Sequence, residues 1–133
     1  MSRRKIVVVG AMLEQDGKYL ITQRSPGASL PLLWEFPGGK VEEGESDREA
    51  VVSELKERLG IVVVAGEQAM HVTHAYPDYD IDFRVFRCSQ VGGEINRTQV
   101  HDFRWVEPHE LDKYPFPEAD QKTFEMLLGL RDG

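Results

Sequence analysis

The chain has little cysteine, no long apolar run and a shortage of positive charge, and each lack excludes something. Cys88 stands alone among 133 residues, so neither an internal disulfide nor a multi-cysteine zinc site can form within the chain. A reducing compartment, the cytoplasm, is the expected location. No apolar stretch approaches the ~18 residues of a membrane-spanning helix. The basic start Arg3-Arg4-Lys5 leads only into the short run Ile6–Leu13, without a small-residue cleavage site. Neither a membrane span nor a secretory signal is therefore expected. Lys and Arg number 16 against 23 Asp and Glu, a formal charge of −7, which argues against gripping long nucleic acid through its phosphates. A polyphosphate remains compatible, because divalent ions can screen carboxylates locally. The 41% hydrophobic and 29% charged residues that are present suit one soluble domain over residues 1–133.

No repeat and no low-complexity segment divides the chain. The β-branched run Ile6–Leu13 predicts a buried strand. Asp16-Gly17 predicts a hairpin turn with Lys18–Gln23 returning as the partner strand. Pro37-Gly38-Gly39 reads as sharply turning, exposed backbone. A helix is predicted over Asp47–Leu59, with Ser46 as N-cap, Glu49 completing a capping box, and Gly60 ending it. Val51, Leu55 and Leu59, with Val52, form its core stripe. Strands are expected at Ile61–Ala65, Met70–Tyr76, Ile81–Cys88 and Phe103–Val106, with a turn at Gly92-Gly93. A terminal amphipathic helix, Ala119–Leu130, would bury Phe124, Leu127, Leu128 and Leu130. Strands before, between and after two helices predict an α/β fold whose mixed sheet is covered on both faces.

The chemistry concentrates between Gly38 and Ile61. Glu54 and Glu57 are three apart on the predicted helix and share a face away from the apolar stripe. Glu42, Glu43 and Glu45 lie on the loop leading into it. Carboxylates beside a Gly-Gly segment suit a hard cation such as Mg²⁺, which takes oxygen ligands and is commonly completed by substrate phosphates. The plainer alternative is a solvated acidic face, with Glu54 and Arg58 spaced for an i, i+4 ion pair worth tenths of a kcal/mol.

The segment Gly39-Lys40-Val41-Glu42-Glu43-Gly44-Glu45, followed by Glu54-Leu55-Lys56-Glu57-Arg58-Leu59-Gly60-Ile61, resembles the signature of the Nudix hydrolases, G-x5-E-x7-R-E-U-x-E-E-x-G-U with U a bulky aliphatic residue. Gly39, Glu45, Glu54, Leu55, Glu57, Gly60 and Ile61 fall in register. The lead-in Trp34-Glu35-Phe36-Pro37-Gly38-Gly39-Lys40 is similar to that of MutT-type members, and the resemblance extends over essentially the whole chain. It implies the Nudix α/β/α sandwich with a mixed sheet. It also implies Mg²⁺-dependent hydrolysis of a nucleoside triphosphate to a monophosphate and pyrophosphate, with Mn²⁺ as a substitute. By the same resemblance the Gly39 carbonyl, Glu54 and Glu57 would ligate metal. Glu54 and Glu57 would be catalytic, Glu54 handling the attacking water, and Glu45 would support loop and helix. Arg24 and Lys40 would meet phosphates, with ordinary surface charge as their alternative. Asp120 and Phe36 would meet the base, with a helix cap and core filling as their respective alternatives. Oxidised guanine and cytosine nucleotides are both admissible, and the expected assembly is a monomer or homodimer.

Three positions depart from the pattern. Ser53 replaces the motif arginine, Arg58 replaces the second glutamate of the E-E pair, and Gln99 stands where a distal glutamate is expected. Exchanging −1 for +1 at about 5 Å from a divalent ion weakens binding by roughly 3 kcal/mol even in water's dielectric. Two alternatives follow: a degenerate Nudix domain that binds nucleotides with little catalysis, or a hydrolase of nucleotide sugars or 5′-triphosphorylated RNA. Outside this segment, His71 and His74 are expected on opposite faces of one strand, His101 and His109 have no recognisable partner, and Cys88 reads as a small buried residue.

Overall fold

The run of β-branched residues near the start forms the spine of the fold. The structure, a computed structural model, describes residues 4–28 and 30–127, with side chains as far as residue 122. Strand β1 (Lys5–Gln15) runs parallel to β6 (Asp80–Gly93) from Lys5↔Asp80 to Leu13↔Cys88, and antiparallel to the short β4 (Gly38–Lys40) along its other edge. β5 (Ile61–Ala75) pairs antiparallel with the outer edge of β6, completing a mixed sheet β4-β1-β6-β5. The end of β1 turns at Asp16 (φ 53°) and Gly17 (φ 78°), the paired left-handed conformation of a tight hairpin turn. It continues as β2 (Lys18–Gln23), which carries β7 (Asp102–Val106) and β3 (Trp34–Glu35) as antiparallel neighbours.

Helix α1 (Asp47–Leu59) covers one face. Its ends obey local chemistry: Glu49 N–H donates to the Ser46 hydroxyl, Ser46 N–H donates to the Glu49 carboxylate, and Gly60 terminates it at φ 73°. Ala50, Val51, Leu55 and Leu59 pack against Val9, Ala11, Leu13, Ile61, Val63 and Phe86. The opposite face carries Met12, Phe83, Val85 and Val72, closed over by Trp34, Phe36, Phe116, Leu111 of a 3-10 helix (Pro108–Lys113) and Ala119 of α2 (Glu118–Leu127). The alternation of β1, with Val9, Ala11 and Leu13 on one side and Met12 on the other, produces these two cores. A helix on each face of a mixed sheet is the expected α/β/α arrangement. Among the described residues, no helix is long and apolar enough to cross a membrane.

Three expectations change, and one further element is new. Pro37-Gly38-Gly39 is not exposed turning backbone: Gly38 and Gly39 are half-buried strand residues opposite Gly10 and Val9. Gly92 and Gly93 do not form a turn but close the β5–β6 ladder opposite Val62 and Ile61. The two strands predicted at Ile61–Ala65 and Met70–Tyr76 are one strand, bent by bulges around Gln68. Pro108–Lys113 forms a 3-10 turn that no periodicity announced. Of the apolar face expected on the last helix, Phe124 and Leu127 lie beyond the described side chains, and Leu128 and Leu130 beyond the described residues.

Candidate active site

The packing of α1 against β4 sets Gly39 against Glu54, two of the three expected metal ligands. Gly39 lies against the Glu54 side chain so closely that a Cβ on this glycine would fall 2.4 Å from Glu54 Oε2. Only a residue without a side chain permits that approach, which explains the glycine better than any turn. The Glu54 side chain is 13% exposed, whereas Glu57, one turn further along, faces solvent. A sheltered carboxylate, an exposed carboxylate on the same helix and the adjoining glycine backbone form an all-oxygen donor set suited to a hard divalent cation.

Glu45 holds the entry loop to the helix. Its Oε1 accepts the Glu42 N–H at 3.1 Å and its Oε2 accepts the Ser53 hydroxyl at 3.0 Å. Ser53, at the position of the motif arginine, thus retains a hydrogen bond to a motif carboxylate. Arg58 does not turn into solvent: its Nε–H donates to Glu54 Oε2 at 2.7 Å, forming the i, i+4 pair that the spacing predicts.

Beside this junction opens a cleft of about 360 Å³. Gly39, Lys40, Arg24, Phe36 and Asp120 line it, as does Arg58 of α1, so five of the expected residues converge there although they come from β4, α2 and two connecting segments. Glu45, Glu54 and Glu57 do not line it; Glu54 adjoins it through its contacts with Gly39 and Arg58. Phe36 is a core residue, 2% exposed and tilted against Phe116 at 6.0 Å, so its core-filling alternative holds. Asp120 is not the cap of α2 but sits within its first turn, buried, where its Oδ1 accepts the Phe36 N–H at 3.2 Å.

The sequence reading missed Glu35 and the tyrosines of the far wall. Glu35 receives the Arg24 guanidinium at 2.9 Å. Burial raises the Glu35 carboxyl above its ordinary range despite the opposing charges of Arg24 and Arg58. Burial, then the neighbouring charge of Glu35, pushes Asp120 well above the usual carboxylate value, against the Phe36 N–H and Arg24. Asp120 is therefore biased towards its protonated form, which donates as well as accepts, rather than being the pure acceptor an ordinary aspartate would be. Tyr76 and Tyr79, 5.4 Å apart, complete the cleft with Ile81 and Phe83. A carboxylate between the aromatics Trp34 and Phe36 was the only sequence signal for Glu35, and none distinguished the tyrosines.

His109 has a partner, contrary to expectation: its Nδ1 lies 3.4 Å from Glu107 Oε2. His71 pairs with Asp82 and His74 with Glu118, on opposite faces of β5. Cys88 is buried, with its thiol pushed up to about 11 by burial, which suits packing and not nucleophilic attack.

A family model described as a NUDIX domain matches residues 8–126. The CTP pyrophosphohydrolase of Escherichia coli is 35% identical over 128 residues, 96% of this chain and 95% of the relative. The 8-oxo-dGTP diphosphatase of Haemophilus influenzae is 34% identical over 122 residues, 92% of this chain and 90% of the relative. The crystal structure of the MutT protein from Methanosarcina mazei superposes with a TM-score of 0.85 at 27% identity, covering 95% of this chain and 94% of that one. With the motif carboxylates gathered at the β4–α1 junction and these similarities spanning nearly its whole length, the chain belongs to the Nudix family as a MutT-type hydrolase.

Proposed function

We propose that the protein hydrolyses nucleoside triphosphates to a monophosphate and pyrophosphate, with Mg²⁺, or Mn²⁺ in its place, at the junction of β4 and α1. Nudix hydrolases generally use divalent metals. The observation that carries the reading is the fit of Gly39 against Glu54 at the rim of a cleft whose floor holds Glu35 and Asp120. The Gly39 carbonyl, Glu54 and Glu57 would hold the cation, which would neutralise charge on the phosphate oxygens. Glu54 orients the attacking water and accepts its proton, while Glu45 keeps the loop in register with the helix. Arg24, steadied by Glu35, and the exposed Lys40 present positive charge to the polyphosphate. One water is consumed and the α–β anhydride bond breaks, with pyrophosphate leaving.

Phe36 and Asp120 receive the base. A carboxyl biased towards its protonated form can face either a carbonyl or a ring nitrogen on the base edge. CTP and 8-oxo-dGTP, on which the named relatives act, are the first substrates to assay. The Glu54–Arg58 pair favours one alternative, a nucleotide-binding domain with little turnover.

Incubation with Mg²⁺ or Mn²⁺ and a panel of ordinary and oxidised nucleotides, with pyrophosphate and monophosphate measured, separates the two. Release that drops at least about a hundredfold in Glu54→Gln and Glu57→Gln is the expected result. Nucleotide binding without any release would establish the alternative.

A further inference from the structure

We infer that Arg58 acts as a built-in counter-ion that occupies Glu54 until a nucleotide draws it away, so that this site takes up its divalent cation together with the polyphosphate and not before it. The inference rests on the metal reading of the β4–α1 junction and goes beyond it to an order of assembly.

One oxygen decides the matter. Glu54 Oε2 is the atom that lies over the Gly39 backbone, and it is also the atom that accepts the Arg58 Nε–H at 2.7 Å. A cation held by Glu54 beside Gly39 would compete with the guanidinium for this oxygen. The competition is not that of a loose surface pair, because the Glu54 side chain is only 13% exposed and screening by water is correspondingly weaker. Without nucleotide, the junction offers two carboxylates against one guanidinium. Arg4 and Lys40 add positive charge around the adjoining cleft, where Arg24 is paired with Glu35. A free divalent cation meets a site whose sheltered carboxylate is already engaged.

A polyphosphate changes that balance. Arg58 lines the cleft itself, and its side chain is 42% exposed, so the guanidinium has room to leave Glu54 for the incoming phosphates. A planar guanidinium pairs well with phosphate oxygens. The same movement frees Glu54 Oε2 and adds a phosphate contact, while the phosphates contribute the oxygen ligands missing because Arg58 stands at a glutamate position. Cation and nucleotide then bind with positive coupling, which is reciprocal: each strengthens the other by the same factor.

Calorimetric titration with Mn²⁺ alone, then with a non-hydrolysable nucleoside triphosphate analogue present, tests this in the parent, Arg58→Gln and Arg58→Glu. The parent should bind Mn²⁺ weakly alone and at least about tenfold more tightly with the analogue. Nucleotide-free Mn²⁺ affinity should rise about tenfold in Arg58→Gln and about a hundredfold in Arg58→Glu, and the coupling should shrink. In EDTA, affinity for the analogue should fall severalfold in both variants. Unchanged nucleotide-free Mn²⁺ affinity in both variants, with native circular dichroism and a parent that still binds Mn²⁺ beside the analogue, overturns the role of Arg58 alone. A parent that takes up no Mn²⁺ even with the analogue overturns the metal reading of the junction and the inference with it.

Discussion

At the scale of single residues, two adjacent glycines do different work. A Cβ at Gly38 would fall 1.9 Å from the Val9 carbonyl oxygen, a fixed backbone atom in the β1–β4 ladder, whereas at Gly39 it would meet the movable carboxylate of Glu54. Gly38→Ala should therefore lower the melting temperature by several degrees or prevent folding. Gly39→Ala should leave melting nearly unchanged and reduce turnover at least about tenfold, because Glu54 must swing off its position. Comparable melting of the two variants would contradict this division. Asp120 yields a second prediction. Its raised carboxyl means the folded state holds a proton that the unfolded chain releases above the ordinary value of 3.8. Stability from this group is full below that value and declines as pH rises towards the folded-state value. Asp120→Asn keeps an acceptor for the Phe36 N–H without the ionisation. Its melting temperature relative to the parent should therefore climb between pH 4 and 7. A constant offset across that range would show that Asp120 is not perturbed.

At the scale of elements, α1 owes its limits to interactions within one turn of each end, which is why Asp47–Leu59 was readable without knowledge of the fold. Ser46→Ala removes the acceptor of the Glu49 N–H and should destabilise the protein by about 1 kcal/mol in denaturant titrations. Because the Glu45–Ser53 bond also joins loop to helix, turnover should fall further in Ser46→Ala/Ser53→Ala than in Ser46→Ala. The short strands behave oppositely. β3 and β4 have two and three residues, too few for an alternation to show, and exist because β2 and β1 present edges for them. Likewise β5 is continuous only because β6 pairs along its length and absorbs the irregularity around Gln68.

At the scale of the molecule, a buried charge cluster fixes how α1, β1, β5 and β6 meet. Asp82, 2% exposed, receives Arg84, His71 and Lys5, and Arg84 also reaches Asp47 on α1 at 2.8 Å. Burial alone would raise the Asp82 carboxyl, but the hydrogen bonds from Arg84, His71 and Lys5 outweigh it and hold it at about 2. The stability it contributes is full above the unfolded value of 3.8 and is lost as pH falls from there to about 2. Asp82→Asn should cost about 2 kcal/mol at neutral pH, with the difference from the parent shrinking below pH 4. An undiminished difference at pH 2.5 would assign the loss to packing instead. The cleft too is a property of the whole molecule: Phe36 and Asp120, 84 residues apart, meet in one hydrogen bond there. Sequence alone determined the family, the boundaries of α1, the carboxylate face and five of the cleft residues, because motif spacing and helix capping act over a few residues of contiguous chain. Tertiary structure alone decided that Glu35 lies close enough to Asp120 to raise its carboxyl, that Ser53 serves Glu45 and that Arg58 lines the cleft beside Gly39. Burial, the charge that one carboxyl feels from another and the choice of partner across the fold depend on distances that only the packed chain defines.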